Sequence, residues 1–272
     1  MSKINNVWAI YFSPTKSTEL VTTRIAANLA SILDADYHVA DITKPKDRKK
    51  PPTAGRDSLI VLGVPVYAGR VPYFLTDFLK KIKGNGNIGA AVVVYGNRDY
   101  GDALAELKGV MNNSLIKVVG AGAFIGEHSF TDKVAGGRPD DDDLDKVKEF
   151  YTSLGEKVLN EDINEAEVPG NPEPDGYYQA PTADGRTSSL VGAVPVTDAD
   201  LCMWCRDCAR ACPMDAISYM KPAEIEGKCV LCGACIKACE KGAKSFTDPD
   251  YIFHKEMLEK EYADRKEPEI FL

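Results

Sequence analysis

The sequence has no cysteine before position 202, no excess of positive charge and no long apolar run, and each absence removes a class of protein. Its 33 Lys and Arg against 41 Asp and Glu leave a formal net charge of −8. That is opposite in sign to the clustered positive field that phosphate backbones require, so no nucleic-acid partner is expected. No apolar stretch approaches the ~20 residues that span a bilayer, so no membrane partner is expected either. Residues 1–10 hold one lysine and run into Ser13–Thr18 without a small-residue cleavage site, unlike a secretory leader. The expected compartment is the cytosol (a cytoplasmic protein), where dense cysteines bind metal more often than they pair as disulfides. What is present, 44% hydrophobic and 27% charged residues in a chain of 272, suits one large folded domain or two ordinary ones.

The chain has two unlike halves. The first alternates apolar runs with amphipathic helical patterns, giving predicted strands at about 5–12, 37–42, 58–66, 89–95 and 116–125. All but the second are near-continuous aliphatic runs, as in strands covered on both faces of a parallel sheet. Helices are predicted at about 16–33, 72–83, 101–113 and 141–159. The alternation implies a three-layer α/β domain over 1–160. Between 161 and 194, Pro169, Pro172, Pro174, Pro181, Gly170, Gly176 and Gly185 break the pattern, so this stretch is a linker. Tyr177 and Tyr178 argue that it packs across the surface. A small domain follows at 195–247, and the tail 248–272 holds a predicted helix over 251–266 with Ile252, Phe253, Met257, Leu258 and Tyr262 on its apolar side.

All eight cysteines fall within the small domain. Cys202, Cys205, Cys208 and Cys212 follow the spacing CxxCxxCxxxC, and Cys229, Cys232, Cys235 and Cys239 repeat it 27 positions later, a tandem duplication. Two-residue gaps let three thiolates converge on one [4Fe–4S] cubane, while the fourth cysteine faces away and ligates the other cluster. The expected metal ligands are therefore Cys202, Cys205, Cys208 and Cys239 for one cluster, and Cys229, Cys232, Cys235 and Cys212 for the second. Zinc is the competing reading, but closed zinc sites favour two CxxC knuckles separated by a long loop. The segment resembles the bacterial two-cluster ferredoxins, with short strands expected near Val194–Val196, Ala216–Tyr219 and Lys244–Phe246. Arg206 stands where that family usually has glycine, and Glu240 where it has proline. The arginine is expected to raise the local potential and the glutamate to lower it or direct docking. Trp204 is expected to shield a cluster, and Trp8 to lie in the core.

After the first predicted strand comes Ser13-Pro14-Thr15-Lys16-Ser17-Thr18 and then a helix. Free backbone N–H groups, the helix dipole and hydroxyl donors suit a phosphate there, although Ser and Thr also serve simply as helix caps. The loop is neither GxxxxGK[ST] nor GxGxxG. It resembles the phosphate loop of flavodoxins, which hold FMN at the switch point of a 2-1-3-4-5 sheet. That resemblance implies cofactor-binding residues Ser13, Thr15, Lys16, Ser17 and Thr18, with Lys16 where flavodoxins usually have glycine. It also implies that the loops after the third and fourth strands cover the flavin ring: Pro65, Val66, Tyr67, Ala68, Gly69 and Arg70, then Gly96, Asn97, Arg98, Asp99 and Tyr100. Packing alone would equally employ Tyr67 or Tyr100. Arg70 and Arg98 replace the usual acidic surround, so the expectation is a flavin of higher potential, biased toward two-electron reduction. His128 after the fifth strand is either a flavin contact or a polar loop residue. Asp140–Asp143 either attracts a basic partner or caps a helix.

Taken whole, the chain resembles the flavodoxin–ferredoxin fusion proteins of anaerobic bacteria and archaea, through YFSPTKST, VPVYAGRVP, YGNRDYGDAL, GAFIGEHSF and the two cysteine quartets. The resemblance implies a flavodoxin-like doubly wound five-stranded parallel sheet followed by a small α+β ferredoxin-like domain, FMN, two [4Fe–4S] clusters and electron transport. The expected partners are redox proteins such as a ferredoxin-linked oxidoreductase, and a homodimer is one assembly in which electrons could cross between chains. A ferredoxin-dependent flavin reductase acting on a small molecule, and a plain ferredoxin-type carrier with an empty flavin site, are the alternatives. No catalytic residue is assigned.

Overall fold

The computed structural model describes residues 3–272. Strands β1 (Asn6–Tyr11), β2 (Asp36–Asp41), β3 (Ser58–Pro65), β4 (Asn87–Tyr95) and β5 (Ile116–Ile125) form a parallel sheet in the order 2-1-3-4-5. The order and the interleaved helices α1 (Ser17–Leu33), α3 (Ala103–Asn113) and α4 (Asp141–Leu159) make this half flavodoxin-like and doubly wound. The aliphatic runs bury both faces of the sheet. On one side Val21, Ile25 and Leu29 of α1 and Phe150 and Leu154 of α4 pack on Val61, Val92 and Phe124. On the other, Leu104 and Leu107 of α3 pack with Ile60, Leu62, Val93 and Leu75. Trp8 lies at the margin of that second core, partly buried and stacked on His38 with centroids 4.7 Å apart.

Four differences from the sequence expectations matter for function. The predicted helix at 72–83 shrinks to α2 (Thr76–Leu79), because Pro72 opens a series of i→i+3 turns, Leu75 N to Pro72 O, Phe78 N to Leu75 O and Ile82 N to Leu79 O. The linker is ordered on the surface and contains a two-stranded hairpin, β6 (Ala180–Pro181) with β7 (Thr187–Ser188). After the two short helices of the cysteine region, α5 (Asp207–Ala211) and α6 (Ala234–Lys237), the tail is not wholly helical. Following β8 (Val196–Thr197), which pairs with β9 (Lys244–Ser245), helix α7 (Pro249–Glu261) ends early and the chain returns as β10 (Glu269–Phe271), a sixth strand antiparallel to β5. Three residues are too few for a periodic signal, and only the free edge of β5 makes them a strand. Finally, α7 buries Tyr251, His254 and Leu258, while Ile252 and Phe253 are exposed. Leu258 thus lies inward as expected, but Tyr251 and His254 take the buried places that hydrophobic spacing gave to Ile252 and Phe253.

The cysteine region is a repeat in backbone as well as in sequence. Trp204, Arg206 and Asp215 take left-handed conformations (φ 58°, 66°, 50°), and so do Leu231, Gly233 and Gly242 (57°, 70°, 64°), each 27 positions on. Ala216 N donates to Cys212 Sγ at 3.3 Å and Ala243 N to Cys239 Sγ at 3.2 Å, again equivalent positions. Arg206 therefore does the conformational work of a glycine. Among the described residues no helix is long and apolar enough to cross a membrane.

Candidate cofactor sites

The carboxyl ends of β3, β4 and β5 open into a cavity of about 380 Å³, the position at which doubly wound sheets bind ligands. Its floor is the turn Tyr67–Arg70, closed by paired backbone bonds between Tyr67 and Arg70 and taken through left-handed Ala68 and Gly69. Gly96 and Arg98 follow β4, and His128, Ser129 and Phe130 follow β5. A side chain on Gly96 would strike His128 Cδ2 at 2.6 Å, so the glycine lets the two loops close on each other. The linker supplies another wall. Tyr178 N donates to Ala68 O at 3.0 Å, the Tyr177 hydroxyl donates to Val71 O at 3.0 Å, and Tyr177–Ala180 and Ser188–Val191 line the space. Lys228, Cys229, Val230 and Leu231 of the cysteine region and His254 of α7 complete it.

The charged lining is mostly cationic. The Arg98 guanidinium lies 3.9 Å from the centroid of the Tyr178 ring, and Lys228 lies over Tyr73 at 4.6 Å; neither forms an ion pair among the described residues. Both histidines stay neutral: burial pushes His128 down to about 3 and His254 to about 4, the nearby Arg98 acting in the same direction. His128 Nδ1 accepts from Phe130 N at 3.1 Å, so its proton is on Nε2. His254 is 5% exposed and its Nδ1 has no partner among the described residues. A buried polar atom left this way costs about 1–3 kcal/mol, a reason to expect a ligand or water there.

The residues expected to bind flavin divide in two. Val66, Tyr67, Ala68, Gly69, Gly96, Arg98 and Asp99 line the cavity. Pro65, Arg70, Asn97 and Tyr100 do not. The Arg70 guanidinium grips Glu106 in a two-pronged ion pair at 2.8 and 2.9 Å and also donates to Gly176 O, so it is engaged by α3 and the linker rather than facing the cavity. Asn97 donates to the carbonyls of Tyr262 and Asp264 and accepts from Lys266 N, clamping the tail. The Tyr100 hydroxyl donates to Glu269 at 2.9 Å. Asn97 and Tyr100 face the returning tail, which the sequence pattern did not reveal. Of the two arginines expected to raise the flavin potential, only Arg98 is in place to do so.

The hydroxyl-rich loop lies at the start of α1, bordering the β5 loop where Gly126 packs on Ser17. Ser13 is buried and accepts from Glu19 N at 2.9 Å, a helix-capping role. Thr15, Ser17 and Thr18 have no side-chain hydrogen bond among the described residues, but Thr18 is buried and no residue of Ser13–Thr18 lines the sheet-end cavity. Lys16 adopts φ 75°, a left-handed conformation that glycine reaches more easily, and its ammonium turns outward to Glu19 at 2.7 Å. Asp140–Asp143 forms a capping box, with Asp143 in a buried ion pair with Arg138 and Asp140 paired with Arg265, so the run is structural.

The eight thiols are all free. They line two cavities, one shared by Cys212, Cys229, Cys232 and Cys235 and another by Cys202, Cys205, Cys208 and Cys239. The fourth cysteine of each sequence quartet thus faces the other quartet's space. The first set is enclosed by Ile217, Ile225, Val230 and Phe246, and burial pushes the Cys232 and Cys235 thiols up to about 12. Free thiols so placed stay protonated, whereas bound metal would hold them as thiolates. The second set opens to solvent at Cys205, beside Met203 and a Trp204 that is 55% exposed and shields little. Arg206 and Glu240 both line this outer cavity, so their opposite charges act on the same site. Among the described residues no group of three or more His, Cys, Asp or Glu is arranged to hold a single metal ion.

A polar clasp fixes the inner set to the first half. Lys44 donates to the carbonyls of Arg210 and Cys212 (2.7 Å for the latter), and Arg48 donates to Pro213 O at 3.0 Å. Lys237 pairs with Glu127 at 2.6 Å. Gly233, left-handed, lies so close to Ser129 that an added Cβ would sit 2.3 Å from the Ser129 carbonyl oxygen. None of these contacts was legible in the sequence.

No protein-family model matches the chain, and no curated protein matches it. Among solved structures it is similar to a flavodoxin from the domain Archaea, at 18% identity and a TM-score of 0.41, over 57% of this chain and 99% of that one. It is also similar to a flavodoxin from Streptococcus pneumonia TIGR4, at 17% identity and a TM-score of 0.39, over 56% and 99%. A third is the rubredoxin oxygen:oxidoreductase of the anaerobe Desulfovibrio gigas, at 15% identity and a TM-score of 0.39, over 59% of this chain and 37% of that one.

Proposed function

We propose that this chain is an electron-transfer flavo-iron–sulfur protein of a reducing cytosol, holding FMN in the cavity above the sheet and a [4Fe–4S] cluster in each crossed set of four thiols. When bound, FMN exchanges two electrons and each cluster one, so the pair couples one- and two-electron transfer. The observation that carries the reading is that Cys229 and Val230 line both the sheet-end cavity and the inner thiol cavity. The chain's own residues divide the work. The aromatic walls, Tyr67, Tyr177, Tyr178 and Phe130, suit a planar ring, and Thr15 and Ser17, outside the cavity on the loop that meets the β5 loop at Gly126, offer hydroxyl donors to its phosphate. Arg98 supplies positive charge beside the ring. Lys44, Arg48 and Gly233 hold the inner thiols against the cavity. The exposed rim at Cys205, Met203 and Trp204 suits docking of a redox protein such as a ferredoxin-linked oxidoreductase, with electrons passing inward or outward through the outer set.

A reductase acting on a small molecule is the second reading, favoured by one observation. The linker covers the cavity with Tyr177–Ala180 and Ser188–Val191, leaving less room for a protein and more reason for a small acceptor. Anaerobic reconstitution tests the main reading directly: about one FMN and about eight irons per chain are expected from two four-iron clusters. Iron without flavin would leave a plain ferredoxin-type carrier, and bound zinc without iron would end the proposal.

A further inference from the structure

We infer that Tyr67 and Tyr251, two tyrosines from outside the cysteine repeat, donate their hydroxyls to sulfurs of the cluster held by Cys212, Cys229, Cys232 and Cys235, and so raise its potential. The inference rests on the cluster reading above and adds to it a tuning device built by the flavin-side loop and the tail helix.

Tyr251 is 3% exposed, and its hydroxyl is buried with no hydrogen-bond partner among the described residues. Its ring is fixed between Phe246, with centroids 4.3 Å apart, and Phe130 at 4.5 Å, so the hydroxyl cannot swing out to solvent. Phe246 lines the inner thiol cavity, and Tyr251 packs in the same apolar cluster as Cys229. Buried donors normally have acceptors, and the only sulfur-rich space beside this one is the inner set. Tyr67 lines the sheet-end cavity, and burial, followed by the neighbouring Cys232 and Cys229 thiols, holds its hydroxyl protonated. No tyrosine lines either thiol cavity itself, but Tyr251 packs in one cluster with Phe246 and Cys229, which line the inner one. Two thiol sets with identical spacing are thus unequal in their O–H donors. A hydrogen bond to a ligand or cluster sulfur favours the more negative, reduced state and moves the potential upward.

The test uses the full-length, anaerobically reconstituted protein with Tyr67→Phe, Tyr251→Phe and the double variant, each removing one oxygen and keeping the ring. Potentials are read by redox titration with the two clusters resolved by electron paramagnetic resonance. The inference expects unchanged iron content, a downward shift of one cluster's midpoint in each single variant, a larger shift in the double, and the other cluster unmoved. Unmoved midpoints, equal shifts of both clusters, or loss of a cluster from both single variants would overturn it, since a tuning donor is neither global nor a ligand. If one variant alone loses iron, the other decides. Wild-type protein that binds no iron would instead sink the cluster reading itself.

Discussion

Replacing Gly233 by alanine should loosen the seam between the two halves without touching a thiol. Two separate penalties meet at this position. Its φ of 70° is left-handed, which costs an L residue about 1–2 kcal/mol. The new Cβ would also lie 2.3 Å from the Ser129 carbonyl oxygen and 3.1 Å from its carbonyl carbon, so backbone has to move. Gly242 provides the control, because it is left-handed at 64° with nothing within 4 Å of the added carbon. Its counterpart in the first repeat is Asp215, which shows that a side chain is tolerated in that conformation. Gly242→Ala should therefore lower the melting temperature by a few degrees, at about 2–4 °C per kcal/mol for a chain of this size. Gly233→Ala should lower it by at least twice as much and also weaken flavin retention, because Ser129 lines the cavity. Paired thermal melts and gel filtration of reconstituted protein read both effects. Equal melts with equal flavin retention would refute the close packing of the cysteine region on the β5 loop.

Three further outcomes follow from the sites. Arg98→Met removes the cavity cation stacked on Tyr178 and should lower the flavin midpoint potential, whereas Arg70→Met, which breaks the Glu106 pair, should cost stability and leave that potential nearly in place; titration and melting measure the two. Cys212→Ser should abolish the cluster of Cys229, Cys232 and Cys235 and spare the one held by Cys202, Cys205, Cys208 and Cys239, seen as loss of one magnetic resonance signal, and Cys239→Ser should do the reverse. For His128 and His254 the folded state holds pKa values of about 3 and about 4, below the ordinary 6.5, so the unfolded chain binds more protons. Stability should then be complete above about pH 6.5 and fall as pH drops toward 4, by an amount on the order of a few kcal/mol, and His254→Leu should flatten that slope in denaturant titrations.

Strands β1 to β5 and helices α1, α3 and α4 were legible because aliphatic runs and helical spacing are strong, local signals, whereas the strand order was expected only through the resemblance to flavodoxins. The crossed thiol sets were legible too, since two-residue gaps bring three thiols together and the fourth, beyond a longer gap, faces away to the other quartet's cavity. The cavity was only half legible. Loops at strand ends could be located, but which of their side chains face inward depends on where the tail returns. Asn97 and Tyr100 look like ligand residues until Tyr262, Asp264 and Glu269 come back to bind them. His254 and Tyr251 were hidden for the opposite reason: beside Leu258, which hydrophobic spacing does select, α7 buries a histidine and a tyrosine in place of Ile252 and Phe253, which are exposed. Nothing in the sequence pattern singles out Lys44 and Arg48, and only contact with residues more than 160 positions away gives them a role.

The central claim, that cluster-bearing thiols and the flavin cavity share a wall within one chain, meets its most direct test in stopped-flow reduction of the anaerobically reconstituted protein. With a one-electron donor in excess, bleaching of the flavin absorbance should follow that of the clusters in a first-order phase whose rate is independent of protein concentration. Gly233→Ala should slow that phase while leaving cluster reduction intact. A flavin phase whose rate rises in proportion to protein concentration would mean that electrons cross between chains, and would contradict the account.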